Sequence, residues 1–60
     1  MSNRRVCIEC IPSKGLSRMI DLSDNKILVE LYDDRIDQEI ALIDLAEGLG
    51  YVVVEEVYGQ

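Results

Sequence analysis

The alternation of apolar and polar positions opens the chain on a strand. In residues 4–11 (RRVCIECI), Val6, Ile8 and Cys10 fall on one face and Arg5, Cys7 and Glu9 on the other, the period-two pattern of an extended segment. Pro12 ends it, and Ser13-Lys14-Gly15 supplies a turn. Residues 16–22 (LSRMIDL) fit two periods. As a strand they place Leu16, Arg18, Ile20 and Leu22 together; as a short helix they group Leu16, Met19 and Ile20. Their short length and the flanking turn residues favour the strand. Ser23-Asp24-Asn25-Lys26 then closes a hairpin. Residues 27–32 (ILVELY) are the cleanest strand, with Ile27, Val29 and Leu31 on one face and Leu28, Glu30 and Tyr32 on the other. A faint echo links residues 20–32 with 43–58, but it needs a gap and rests on common residues, so it is read as chance. A true repeat would make 16–22 helical and the order β-α-β-α-β.

The period then changes to that of a helix. It is expected to begin near Asp33-Asp34, where either carboxylate accepts a free N–H of the first turn and Asp37 adds charge near the positive dipole end. It is expected to stop near Gly48–Gly50, where glycine takes the left-handed conformation at little cost. Ile36, Ile40 and Ile43 form one stripe, and Leu42, Leu45 and Leu49 a second, with Ala46 between them. That apolar sector is much wider than the ~100° a helix needs to cover a small sheet. Either Ile43 and Ala46 centre on the sheet with Ile40 and Leu45 at the margins, or one stripe packs inward and the other meets a second chain.

Residues 51–58 (YVVVEEVY) form the last strand. Tyr51 to Val54 are apolar on both faces, as in a strand covered on both sides. Two arrangements fit: a central strand whose second face lies under a loop, or an open sheet face or edge that a neighbouring chain covers. Ile40, Leu45, Tyr51 and Val53 are therefore the candidate oligomer-interface residues, and a homodimer is one expectation. The elements predict a single α+β domain over residues 1–60. A small antiparallel sheet of three to four strands, with one helix packed on one face, follows the order β-β-β-α-β.

Size sharpens the question of partners. A chain of 60 residues buries only about 60% of its unfolded surface, and domains so small draw extra stability from disulfides, metals or association. Two cysteines and no histidine leave association as the best source. The apolar fraction of 48% with no Phe and no Trp calls for a core of Ile, Leu and Val. Start residues Met1 to Arg5 carry no apolar stretch of a secretory signal, and no apolar run approaches the ~20 residues of a membrane helix. A soluble, reducing, cytoplasmic setting away from membranes is the expectation.

The net charge of −6 disfavours direct nucleic-acid binding, because phosphate is repelled. A basic protein surface is the natural complement. Asp33, Asp37, Asp44, Glu47, Glu55 and Glu56 are the candidate partner-binding residues. A row of such carboxylates imitates the charge spacing of nucleic acid and would occupy a basic groove. Capping at Asp33 to Asp37, and the opposite faces of adjacent Glu55 and Glu56, offer a plainer account of the same residues, as does mere solubility.

Chemistry is poorly served. Cys7-x-x-Cys10 supplies two of the four ligands that closed zinc needs, and it lies in a strand rather than at the helix N-terminus that activates a redox thiol. Buried free cysteines are expected, a metal or redox role being the weakest of three functional readings. Without histidine there is no ordinary general base near neutral pH, and the four glycines at 15, 48, 50 and 59 make no phosphate loop. A domain this small rarely encloses the ~300 Å³ a substrate wants. Neither catalytic residues nor cofactors nor metals are expected. Arg4 and Arg5 are too few for a nucleic-acid patch.

The element order of the segment from Ile27 to Tyr58, together with size and acidity, resembles that of small phage-encoded inhibitors of host machinery, including anti-CRISPR proteins and a phage inhibitor of bacterial RNA polymerase. The resemblance is one of architecture and charge. It implies binding and inhibition without catalysis, in the cytoplasm of a host cell. The leading expectation is thus a non-enzymatic protein-binding module; the alternative is a homo-oligomeric assembly subunit joined through the spare helix stripe or the open sheet face.

Overall fold

In the computed structural model, which describes residues 3–32 and 35–59, the order is β1 (Arg5–Ile11), a short 3-10 turn (Pro12–Lys14), β2 (Leu16–Asp21), β3 (Lys26–Leu31), α1 (Gln38–Gly48) and β4 (Val52–Tyr58). The ambiguous segment is a strand. The four strands form one sheet in the order β3-β2-β1-β4, and the expected β-β-β-α-β order holds.

The sheet is mixed rather than antiparallel. β1–β2 and β2–β3 are antiparallel, whereas β4 runs parallel to β1. The helix explains this. Eleven residues at ~1.5 Å each carry the chain back along the sheet, so the next strand repeats the direction of β3, and hence of β1. The crossover also delivers β4 to the far edge of the sheet, which decides between the central and edge positions that its apolar run left open.

Each turn has its own chemistry. Gly15 takes a φ of 62° and closes the 3-10 turn by donating to the Pro12 carbonyl, a conformation that side chains resist. In the β2–β3 turn Asn25 sits at φ 59°, and Asp24 accepts the Lys26 N–H at 3.1 Å.

The helix starts later than predicted. Asp37 is its N-cap and accepts the Ile40 N–H at 3.2 Å, so Ile36 precedes the helix; Asp33 and Asp34 lie outside the described residues. The end is where the glycines placed it. Gly50, at φ 78°, donates to the Glu47 carbonyl at 3.1 Å, and Tyr51 donates to that of Ala46 at 2.8 Å. This paired closure satisfies two carbonyls that the helix cannot.

The core lies between α1 and one sheet face. Val6, Ile8, Met19, Leu42 and Ala46 are fully buried, and Cys10 is nearly so, with Val29, Leu31, Ile43, Tyr51 and Val53 packed around them. Leu42 and Ala46, rather than Ile43 and Ala46, centre the helix on the sheet. Ile40 points to solvent at 55% exposure, and Leu45 at 41% lies on one flank. α1 packs chiefly on β1, β2 and β4, so β3 is left at the margin.

Both edge strands carry an extra residue. The β2–β3 register passes over Leu28, and the β1–β4 register passes over Val54. A bulge twists an edge and blunts its pairing with other chains.

Candidate functional site

The acidic candidates do not share one surface. Register with β1 puts Glu56 beside Ile8 on the helix side and Glu55 beside Cys7 on the open side, as the alternation of a strand requires. Asp44 and Glu47 are exposed on α1, Asp37 is exposed but engaged in capping, and Asp33 is outside the described residues. What they do share is sequence neighbourhood. Every basic residue lies at or before Arg35, whereas Asp37, Glu39, Asp44, Glu47, Glu55 and Glu56 are the only charged side chains beyond it. The whole net charge of −6 therefore falls on the Asp37 cap, α1 and β4, the last two being in contact with each other.

Glu39, which sequence reading passed over, organises that side. It stands in the first turn of α1 and accepts a hydrogen bond from the Tyr58 hydroxyl, with the Cys10 thiol 4.0 Å from the same carboxylate oxygen. The hydrogen bond to Glu39, with burial and the nearby carboxylates, pushes the Tyr58 phenol up to about 12. Glu56 shares a hydrogen bond with Glu39, and that contact, with partial burial and like charge, raises its carboxyl above the usual range. No spacing in the sequence announces this cluster, since it depends on Cys10 lying opposite Tyr58 in a parallel pair.

On the other flank of α1, Gln38 ties the helix to β2. It donates to the Gly15 carbonyl at 3.0 Å and accepts from the Ser17 hydroxyl at 2.8 Å. Between these anchors an open groove of ≈310 Å³ runs past Ile36, Leu16 and Tyr58. It reaches the volume thought rare for such a domain, but as a surface furrow rather than an enclosure.

The opposite end of the sheet is built around Asp21. Its carboxylate is buried and accepts the Ser23 N–H at 2.9 Å, the Ser23 hydroxyl at 2.8 Å and the Arg4 guanidinium. The Ser23 donors first, and Arg4 after them, hold it below the usual carboxylate range. Arg4 also lies 5.5 Å from the centre of the Tyr51 ring, a cation–π distance. Arg4 is thus engaged in fastening the chain start to the β2–β3 turn.

Both cysteines are free and buried, at 7% and 8% exposure. Cys10 joins the helix-side core, while Cys7 faces the open side between Ile20 and Glu55. Burial, with Glu55 and Glu9 nearby, raises the Cys7 thiol, so its reactive thiolate is suppressed. On the same open face, Glu9, Arg18 and Glu30 stand directly across β1, β2 and β3, with Arg18 paired to Glu9.

Of the four oligomer candidates, Ile40 and Leu45 are exposed, whereas Tyr51 and Val53 pack against the core from the helix side. Val52 and Val54, their neighbours, are the exposed apolar residues of β4. Among the described residues no helix is long and apolar enough to cross a membrane. Comparison with family models, with curated proteins and with solved structures returned no match.

Proposed function

We propose that the chain is a non-enzymatic protein-binding module that engages a basic surface of another protein through its α1–β4 side, and so inhibits or modulates that partner. The observation that carries this reading is the segregation of charge: six carboxylates and no base from Asp37 onward, on two elements that pack together. A net field carried by these two elements speeds encounter with a basic partner and orients it, even though Glu55 and Glu56 stand on opposite faces of β4. Exposed Ile40 and Val54 lie among those carboxylates and supply the apolar contact that charge alone lacks. The candidate contacts are Asp44, Glu47, Glu55 and Glu56, extended by Glu39; Asp37 serves the helix cap.

The test is capture from lysate of expressing cells, treated to remove nucleic acid, on the immobilised chain and on a variant carrying Asp44→Asn, Glu47→Gln, Glu55→Gln and Glu56→Gln. The wild type should retain a basic protein that is released as ionic strength rises from about 0.1 M to about 1 M, where screening shortens from ~10 Å to ~3 Å. The neutralised variant should retain at least tenfold less. Retention equal on both, or indifferent to salt, would defeat the reading.

A further inference from the structure

We infer that a second copy of this chain docks on the open face of the sheet, where Glu9 and Arg18 of the two copies complete one shared ion quartet. The face lacks a covering layer. α1, the one α-helix among the described residues, lies on the side that carries Val6, Ile8 and Met19. The other side is largely apolar. Register places Cys7 between Ile20 and Glu55 with Ile27 beyond Ile20, and sets Val52 beside Arg5 and Val57 beside Glu9. Ile27 and Val52 are exposed at 47% and 42%, while Ile20 and Val57 are half-buried.

Charge selects the occupant. This face sets Arg5 and Arg18 against Glu9, Glu30 and Glu55, close to neutral, whereas α1 carries Glu39, Asp44 and Glu47 with no base. A basic partner drawn to the acidic elements would bring its cations onto Arg5 and Arg18 here. A second copy brings alternating charge instead. In the order β3-β2-β1-β4 the middle of the sheet falls between β2 and β1. Glu9 and Arg18 stand directly across that line, already paired to each other. A two-fold axis running along the strands through it lays each β1 over the other copy's β2. Glu9 then meets the second copy's Arg18, and Arg18 its Glu9, so that opposite signs alternate around the axis. The same operation sets Cys7 against the second copy's Ile20. An axis across the strands would lay β1 on β1 and separate Glu9 from that Arg18.

The dimensions agree. Facing sheets lie about 10 Å apart, within joint reach of these long side chains, and cross at roughly 30°. The crossing splays the corners, so Glu30 and Glu55 on the edge strands stay in water. Four strands at ~4.8 Å and the seven residues of β1 at ~3.3 Å give a face of roughly 440 Å² in plan. Side-chain relief brings that towards the ~600 Å² per partner at the low end of specific interfaces, so the dimer is weak and reversible. Apolar contact supplies its affinity, and the quartet fixes its orientation. Both copies keep α1 turned outward, and the acidic-surface reading stands or falls separately.

Sedimentation of the purified chain from about 10 µM to about 1 mM tests the contact. The wild type should pass reversibly from monomer to dimer over that range. Glu9→Arg and Arg18→Glu, each changing a side chain still partly in water, should each weaken the dimer at least tenfold. An equal mixture of the two variants should dimerise within about threefold of the wild type, because each supplies the charges that the other lacks. A merely structural pair within one copy would not be rescued by mixing. Ile20→Ser, outside the ion pair, should also weaken the dimer at least tenfold and decides the matter if a charge variant fails to fold. Leu45→Ser with Leu49→Ser, on α1, should change nothing. A wild type that stays monomeric at about 1 mM, a mixture that is not rescued, or a dimer lost with the α1 variant but not with Ile20→Ser would overturn the inference.

Discussion

The two edge strands of the sheet are guarded in the same way and provisioned in opposite ways. β3 and β4 each contain an extra residue, Leu28 and Val54, that interrupts register. Each also carries charge, Lys26 and Glu30 on one and Glu55 and Glu56 on the other. Both devices discourage strand-to-strand pairing with other chains. Yet β4 runs parallel to its neighbour, lies under α1 and shares the entire net charge with it, while β3 is antiparallel, lies at the helix margin and is close to neutral. Protection of an edge and use of the surface beside it are therefore separate properties. With both edges blunted, the exposed apolar side chains Ile40, Leu45 and Leu49 lie on α1 rather than along a pairing edge.

The contrast is broken most forcefully at the core. Leu42 is fully buried between α1 and the sheet, whereas Leu31 on β3 is only half-buried. Leu42→Ala is expected to cost ~2–5 kcal/mol, a large part of the roughly 3–9 kcal/mol that a domain of this length holds. Leu31→Ala should cost about 1–2 kcal/mol, because part of its surface is already in water. Urea midpoints of the two variants measure this directly. Equal losses would mean that β3 is as firmly built into the interior as β1 and β2, and the marginal position assigned to it would be wrong.

A smaller effect isolates the helix from the edges. Asp37→Ala removes the acceptor of the Ile40 N–H and should cost ~0.5–2 kcal/mol. The loss should register in the first turn of α1, where Glu39 holds Tyr58, and so loosen the β4 side more than the β3 side. Amide exchange along β3 and β4 checks the asymmetry. Uniform loosening would show that α1 couples to both edges alike.

How far this was legible beforehand follows from what each feature depends on. The faces of β1, the stop of α1 at its glycines and the opposed directions of Glu55 and Glu56 follow from local periodicity and glycine chemistry, and these the sequence carries openly. The direction of β4 does not, because Val52, Val53 and Val54 suit a central or an edge strand equally and only the crossover decides. The bulges at Leu28 and Val54 break side-chain alternation, so Ile27 falls on the open face with Ile20 rather than with Val29 and Leu31 as expected; they are hidden because apolar residues on both sides of each break leave no mark in the pattern. The helix start was read too early since Asp33, Asp34 and Asp37 are all able caps, and only backbone geometry selects Asp37. Glu39 was missed for a related reason: its partners Cys10, Glu56 and Tyr58 lie 17 or more positions away, joined by a parallel register that no local pattern encodes.

The finest distinction between the two ends of the sheet is in their response to acid, and it has opposite signs. Asp21, at the β2–β3 turn, has its carboxyl held down by Ser23 and then Arg4. Its folded pKa lies below the unfolded value, so its contribution is present above the ordinary carboxylate range and is lost as pH falls through the folded pKa. Glu56, on β4, is raised by its contact with Glu39. There the folded state holds the proton more tightly, so acidification relieves the pair, and the gain disappears as pH rises through the folded pKa. Carboxyl carbon shifts should accordingly show Glu56 titrating above 4.5 and Asp21 below 3.8. In unfolding experiments Glu56→Gln should make acid destabilisation begin at higher pH, by removing the compensating limb, while Asp21→Asn should flatten the decline at the acid end. If the two carboxyls titrate in the reverse order, the β4 side does not hold a strained acidic pair, and the electrostatic difference between the edges reduces to the number of charges each one carries.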